Sequence, residues 1–593
     1  MKAPLHHQQE VNLAIPASRL HRRRCTGSNL AAHIIIAALV VMAVTCPAGA
    51  QVSFTRILEG DIANDAGHFL GCAWGDYDND GHVDLFVGNE LGLTNHLYHN
   101  NGNGTFTRIT TGTIVNERAD TDAPVWGDFD NDGDLDLFCS NYESPVRDFF
   151  YRNDGNGTFT KITQGAWVTD SATGVGAAWG DYDNDGFIDL FVANQGMNSF
   201  LYHNNGDGTM TRITTGPVAT VSGHSTGCAW ADYDGDGYRD LFVANSLGEN
   251  EFQFRNNGNG TFTRTTKGPL VTSGGATADV SWADYDNDGD LDVLLTNTGG
   301  ENERLFRNDG TNGFTRITQG AIVNAGGNSG GAAWGDYDND GYIDLFVAND
   351  LGQQNRLYHN EGDGAFSPVT KGAVVNDGGR SKSCAWADYD NDGYLDLFVA
   401  NGGYDHPPAP PQQSGFLYHN EGGTNNWMIL KLVGTASNRS AIGAKVRVLA
   451  TIGGKSFWQL REISGGGGGW GSQNDLRAHF GLGDATTVDK VRIEWPSGNV
   501  QELINAAPKQ ILTVTEHQEG ATLAPSLAAT KMESGWAQLT LTGPTNLLYV
   551  IDASTNLVQW TKIAVRTNLT GSVEFTDRAA TNYPQRFYRA VAP

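Results

Sequence analysis

Asp76-Tyr77-Asp78-Asn79-Asp80-Gly81-His82-Val83-Asp84 is the stretch that decides the fold. It sets carboxylates at positions 1, 3, 5 and 9 of a nine-residue loop. Gly81 permits the sharp reversal, and position 7 offers a backbone carbonyl. Hard oxygen ligands at that spacing suit a Ca²⁺ ion, and the first half of the loop matches an EF-hand. The Glu of an EF-hand's position 12 is missing, and no helical periodicity flanks the loop. Leu85-Phe86-Val87 follows at once, so the loop is expected to join two strands.

The loop recurs seven times with its four Asp intact. The candidate ligands are Asp76, Asp78, Asp80 and Asp84; Asp128, Asp130, Asp132 and Asp136; Asp181, Asp183, Asp185 and Asp189; Asp232, Asp234, Asp236 and Asp240; Asp284, Asp286, Asp288 and Asp292; Asp336, Asp338, Asp340 and Asp344; and Asp388, Asp390, Asp392 and Asp396. Successive loops start 51 to 53 residues apart, and a fixed period of that size marks a repeat architecture. About seven Ca²⁺ sites are expected.

Within one period the third repeat gives four strand segments: Gly176–Gly180, Asp189–Asn194, Phe200–Asn204 and Thr209–Ile213. Asn205-Gly206-Asp207-Gly208 is hairpin chemistry between the last two. Four short antiparallel strands per unit predict a β-propeller blade. Seven Trp share one position (74, 126, 179, 230, 282, 334 and 386) amid Ala and Gly. They read as wedges between blades rather than as a sugar-binding platform. In Tyr-His-Asn, His99, His203, His359 and His419 alternate with Arg152, Arg255 and Arg307. Arg cannot ligate a metal, so this position reads as a hydrogen-bond donor beside acidic groups. Asn-Gly-Thr at Asn103, Asn156 and Asn259 reads as hairpin turn before glycosylation sequon. The fourth-strand pattern is absent after the last loop but appears ahead of the first, at Ser53–Ile57. The N-terminus is therefore expected to complete the last blade and close the ring.

Residues 51–422 resemble an FG-GAP/VCBS repeat propeller of the type found in integrin α heads, on the strength of those seven loops. The resemblance implies Ca²⁺ at the blade edges. Asn438–Ala444, Ser472-Gln473-Asn474, His479–Gly483 and Trp495–Gly498 resemble the ASPIC/UnbV domain, taken over 425–516. That domain follows such propellers in cartilage acidic protein-like secreted proteins. The run Gly465–Gly469 lacks the Lys-Ser/Thr and βαβ setting of a phosphate cradle. After an Ala-rich linker, His517–Thr530, residues 531–593 read as a small β module. The fold class is thus all-β: a seven-bladed propeller with calcium loops, followed by two smaller β domains.

The chain of 593 residues carries a formal charge of −28. Of its 67 acids, all but the 28 of the loops are balanced by 39 Lys+Arg. The acidity therefore lies in the loops, and nucleic acid is excluded as a partner for such a field. Residues 1–50 read as a secretory signal peptide. Arg22-Arg23-Arg24 precede the apolar run Ile34–Met42, and Ala48-Gly49-Ala50 fits cleavage after Ala50. An uncleaved membrane anchor is the competing reading, and a lipoprotein reading through Cys46 is weaker. No other run is long enough to span a bilayer. Cys72, Cys228 and Cys384 share a position that other repeats fill with Ala178 or Val280, and so read as buried thiols. His406–Pro411 reads as a stiff exposed loop in the last blade.

No catalytic constellation stands apart from the repeats. The expected function is a secreted or cell-surface calcium-binding adhesion module with an extracellular protein or glycan ligand. The alternative is a calcium-dependent polysaccharide lyase or hydrolase, to be betrayed by a non-repeated polar cluster. Asn116–Asp122 departs most from its counterparts but reads as an ordinary polar loop.

Overall fold

The computed structural model describes residues 53–591 apart from 143–146, 404–410, 468–469, 518–525, 533–535, 543–546, 569–571 and 584. The expected leader and most of the proline loop lie outside the described residues. Seven four-stranded antiparallel units follow one another in the strand pairing. In the third, Gly174–Gly180, Asp189–Asn198, Phe200–Asn204 and Met210–Ile213 pair in order. Leu190, Phe191 and Val192 are fully buried there, as a continuous apolar run covered on both faces requires. The hairpin before the fourth strand is pinned in the first unit by Asn103, whose Oδ1 accepts from Thr105 N at 3.1 Å. One element has no counterpart in the sequence reading. Short helical turns such as Thr113–Asn116 lead into the first strands, burying pairs such as Ile114 and Val115.

The first strands lie side by side around a closed circuit, the last (Ser381–Ala387) against the first (Phe69–Gly75). The Trp are wedges: Trp74 Nε1 donates to Ala385 O, Trp126 to Ala73 O, Trp179 to Val125 O, Trp230 to Ala178 O and Trp386 to Ala333 O, all at 3.1–3.3 Å. Gly is required beside them, because a Cβ on Gly180 would lie 2.7 Å from the Trp230 ring. Among the described residues Trp282 and Trp334 Nε1 find no acceptor, and both rings border a cavity of ≈ 200 Å³. The ring closes through the N-terminus, where Phe54–Arg56 pairs with Phe416–Asn420. The register sets Thr55 opposite His419 and Arg56 opposite Tyr418. Cys72, Cys228 and Cys384 are buried and free.

The region expected at 425–516 forms two sheets. Ala478–Gly483, Asn426–Val433 and Gln510–Thr515 make one; Lys455–Glu462, Lys445–Ile452, Val488–Glu494 and Val500–Ala506 make the other. It does not stand apart from the propeller: Met428, Val446 and Phe480 share one apolar core with Val125, Trp179 and Tyr202. Described residues of its glycine-rich segment and of the stretch after it bond to the first strands of the ring. Cys72 N donates to Gly471 O (3.0 Å), Trp179 N to Gly465 O (3.0 Å) and Asp475 N to Trp386 O (3.2 Å). Trp126 exchanges two hydrogen bonds with the Gln473 amide. A Cβ on Gly467 would sit 2.2 Å from Cys228 O, and one on Gly471 2.1 Å from Ala123 Cα. The glycines are there to let backbone meet backbone. The last module begins earlier than the linker reading placed it, since Ser526–Lys531 is a strand paired with Ala537–Thr542.

Candidate metal centres

Each loop folds so that its carboxylates converge. The ninth-position Asp is anchored first: its Oδ1 accepts from the backbone N–H of the Tyr-His-Asn asparagine in all seven units, at 2.7–2.8 Å. In units two, three, five, six and seven the first-position Asp takes the loop's own N–H groups. Asp181 is typical, with Oδ1 accepting from Asp185 N and Oδ2 from Gly186 N, both at 3.1 Å. The sixth-position glycines supply the positive φ this turn needs, from 89° to 103°. Oxygens of Asp76, Asp78 and Asp84 come within 4.8 Å of one another. The imidazoles of His99, His203, His359 and His419 sit at 3.1–3.3 Å from the ninth-position carboxylate. Of the arginines in the same position, Arg255 reaches Asp234 and Asp236, whereas Arg152 and Arg307 turn to the hairpin residues Asp154 and Asp309.

Burial and mutual repulsion make the ionised carboxylates costly without a counter-charge. Burial, with Asp78 and Asp76 adding their charge, pushes Asp84 up to about 9. Asp292 is raised to about 9 in the same way, and Asp340 to about 10 by burial and then by Asp336 and Asp338. Buried oxygens Asp76 Oδ1, Asp130 Oδ1, Asp183 Oδ1 and Asp286 Oδ1 have no hydrogen-bond partner. Buried carboxylate oxygens without donors are costly, and an all-oxygen donor set is what a hard divalent cation takes. In the loops other than the fourth, the residues fit Ca²⁺.

Two asparagines that the sequence reading left without a role tie the loops into a ring. The fourth-position Asn donates Nδ2 to the sixth-position carbonyl of the next loop. Asn79 reaches Gly133, Asn131 Gly186, Asn184 Gly237, Asn287 Gly341, Asn339 Gly393 and, closing the circle, Asn391 Gly81, at 2.9–3.2 Å. In the opposite direction the Tyr-His-Asn asparagine reaches the preceding loop, as Asn100 Nδ2 does to Tyr389 O at 2.7 Å. Recurrence at both positions was the available signal. The second domain sits on this ring of loops. Lys431 contacts Asp76, Ser440 Asp128, Lys445 Asp232, Arg447 the Gly289 carbonyl, Asn425 the Asp338 carbonyl and Arg477 the Asp388 carbonyl.

Residues 76–139, 140–192, 181–243, 232–295, 286–347 and 336–399 match the FG-GAP-like repeat, together more than half of the chain. The chain belongs to the FG-GAP repeat family. Residues 434–521 match the ASPIC and UnbV domain. Among curated relatives, cartilage acidic protein 1 of Mus musculus is 26% identical over 339 residues, 56% of this chain and 44% of that protein. The Homo sapiens protein is 26% identical over 338 residues, 56% of this chain and 42% of its own length. The chain thus spans less than half the length of the curated relatives it matches. Similar solved structures include the BP39L lectin of Burkholderia pseudomallei (13% identity, 56% of this chain and 93% of that one, TM-score 0.42). Another is an ulvan lyase (12% identity, 63% and 95%, TM-score 0.32).

Proposed function

We propose that this propeller-type protein is an exported, calcium-stabilised binding module that meets a protein ligand on the end of the propeller opposite the loops. Bound Ca²⁺ would neutralise the loop carboxylates and hold them ionised. The chain's own part is to aim the first-, third-, fifth- and ninth-position Asp inward and to lock neighbouring loops through asparagine. The observation that carries the reading lies at the turns between second and third strands. In a four-stranded meander these turns emerge at the end away from the loops. Four of them expose a large apolar side chain: Leu91, Tyr142, Leu247 and Leu351. Leu247 is 73% exposed and Leu351 58%, and both, with Leu91, hold φ of 57–59°. A bulky residue in the left-handed region is an outlier worth a functional explanation, and repeated exposed apolar groups mark interaction surfaces. Among the described residues no helix is long and apolar enough to cross a membrane.

The test screens the chain from residue 51, with calcium, on arrays of extracellular proteins and of glycans, beside a polysaccharide turnover assay. A protein target bound by the wild type and lost in a Leu247→Asp/Leu351→Asp variant of unchanged melting temperature supports the reading. Release of unsaturated or reducing sugar ends, abolished by a point mutation outside the loops, overturns it.

A further inference from the structure

The fourth loop differs from the other six in sequence and in surroundings. Its fourth position is Gly235 where the others carry Asn, and its eighth is Arg239 where the others carry Val, Leu or Ile. Each departure is matched by a charged residue of the second domain. Without an asparagine, the fourth loop cannot reach the Gly289 carbonyl; Arg447 Nη1 donates to it instead, at 3.2 Å. Arg239 makes an ion pair with Glu462 at 2.5 Å, with both side chains nearly enclosed. Lys445, the cross-strand partner of Glu462, drives its ammonium into the loop. Its Nζ lies 2.7 Å from Asp232 Oδ2 and 3.1 Å from Asp232 O, with 9% of the side chain exposed.

The remaining loop carboxylates are also taken. Arg255 donates Nε to Asp234 Oδ2 at 2.5 Å and Nη2 to Asp236 Oδ2 at 3.0 Å. The first-, third- and fifth-position acids of this loop are thus all paired with cationic side chains of the same chain. Asp232 Oδ1 and Asp240 Oδ2 remain without a donor among the described residues, as Asp76 Oδ1, Asp130 Oδ1, Asp183 Oδ1 and Asp286 Oδ1 do in other loops, so what sets this loop apart is the enclosed ammonium on Asp232. The first loop shows why Lys445 matters. There Lys431 also reaches the first-position Asp76, but it is 40% exposed and free to swing into solvent. Lys445 is enclosed and cannot leave without leaving its charge buried and unpaired, which is costly.

We propose that the fourth loop is not a calcium site but the socket into which the second domain is keyed, with the Lys445 ammonium standing where the other loops take a metal ion. The inference rests on the calcium reading of the other six loops. A buried ammonium bonded to a ligand oxygen repels a divalent ion at close range. It also makes docking of the second domain independent of calcium at this one blade.

The test counts calcium per chain by elemental analysis after gel filtration in calcium-containing buffer at moderate salt. The wild type is expected to hold six ions, and Asp181→Asn, in the third loop, five. Asp232→Asn is expected to hold six still, and Lys445→Met with Arg255→Gln seven. Should the socket variants fail to fold, the wild-type count decides. Seven ions in the wild type, or the loss of one in Asp232→Asn, overturns the socket while leaving the calcium reading intact. No bound calcium in any protein overturns the calcium reading itself and this inference with it.

Discussion

Phe54→Ala probes ring closure where it is narrowest. Phe54 is buried to 8% exposure, its ring 5.7 Å from that of Tyr337 and 6.0 Å from that of Trp386. It therefore joins the N-terminal strand to the core of the last two blades. A buried Phe cut to Ala loses its transfer free energy and leaves a cavity, together about 3–5 kcal/mol. The neighbouring Thr55 points outward and is exposed, so Thr55→Ala should stay within roughly 0.5 kcal/mol of wild type. Both are measured by urea unfolding in saturating calcium, followed by tryptophan fluorescence, to which Trp386 reports directly. A crosslink fixes the register: cysteines at Thr55 and His419 face one another and should form a disulfide, while Thr55 with Tyr418 should not, because adjacent residues point to opposite faces. If Phe54→Ala unfolds like Thr55→Ala and no pair crosslinks, the strand does not close the ring.

Two further outcomes follow from the axis and the loops. Gly471→Ala puts a Cβ against Ala123 backbone at φ 47°. It should cost about 1–3 kcal/mol by overpacking, whereas Gly454→Ala, whose Cβ meets open space at φ 78°, should cost less; calorimetry compares them. In the chelated protein, Asp84 and Asp292 keep their protons up to about 9, far above the roughly 3.9 of an unfolded Asp. The folded state then binds more protons than the unfolded one between those limits, so stability falls as pH rises through them. Chelated protein should melt lower at pH 8 than at pH 5.5, and calcium should remove that slope. A chelated protein that melts higher at pH 8 refutes this.

Much of the fold was legible because the repeat is local. Seven loops, seven Trp and one displaced strand name a ring without any knowledge of neighbours, and oxygens such as those of Asp76, Asp78 and Asp84 lie within 4.8 Å of one another. What stayed hidden depends on what lies across space. Gly467 and Gly471 belong to no periodic pattern, and only the Cys228 carbonyl and the Ala123 backbone explain why these two positions can hold nothing larger. Leu247 reads as one more apolar residue until its positive φ and exposure are seen. Gly235, by contrast, was visible as the single break in a run of fourth-position asparagines. Its meaning needed Arg447 from a distant strand.

Calcium is proposed to hold the loops together. The direct measurement is the melting temperature of protein verified metal-free by elemental analysis, then with calcium or magnesium added back. At roughly 2 mM calcium and a dissociation constant of roughly 10⁻⁴ M, each occupied loop gains about 1.8 kcal/mol by mass action. Calcium should therefore raise the melt by many degrees. Magnesium should restore little of it, since it demands a small octahedral shell and sheds its water reluctantly. A melt that does not move on adding calcium to metal-free protein would contradict the account.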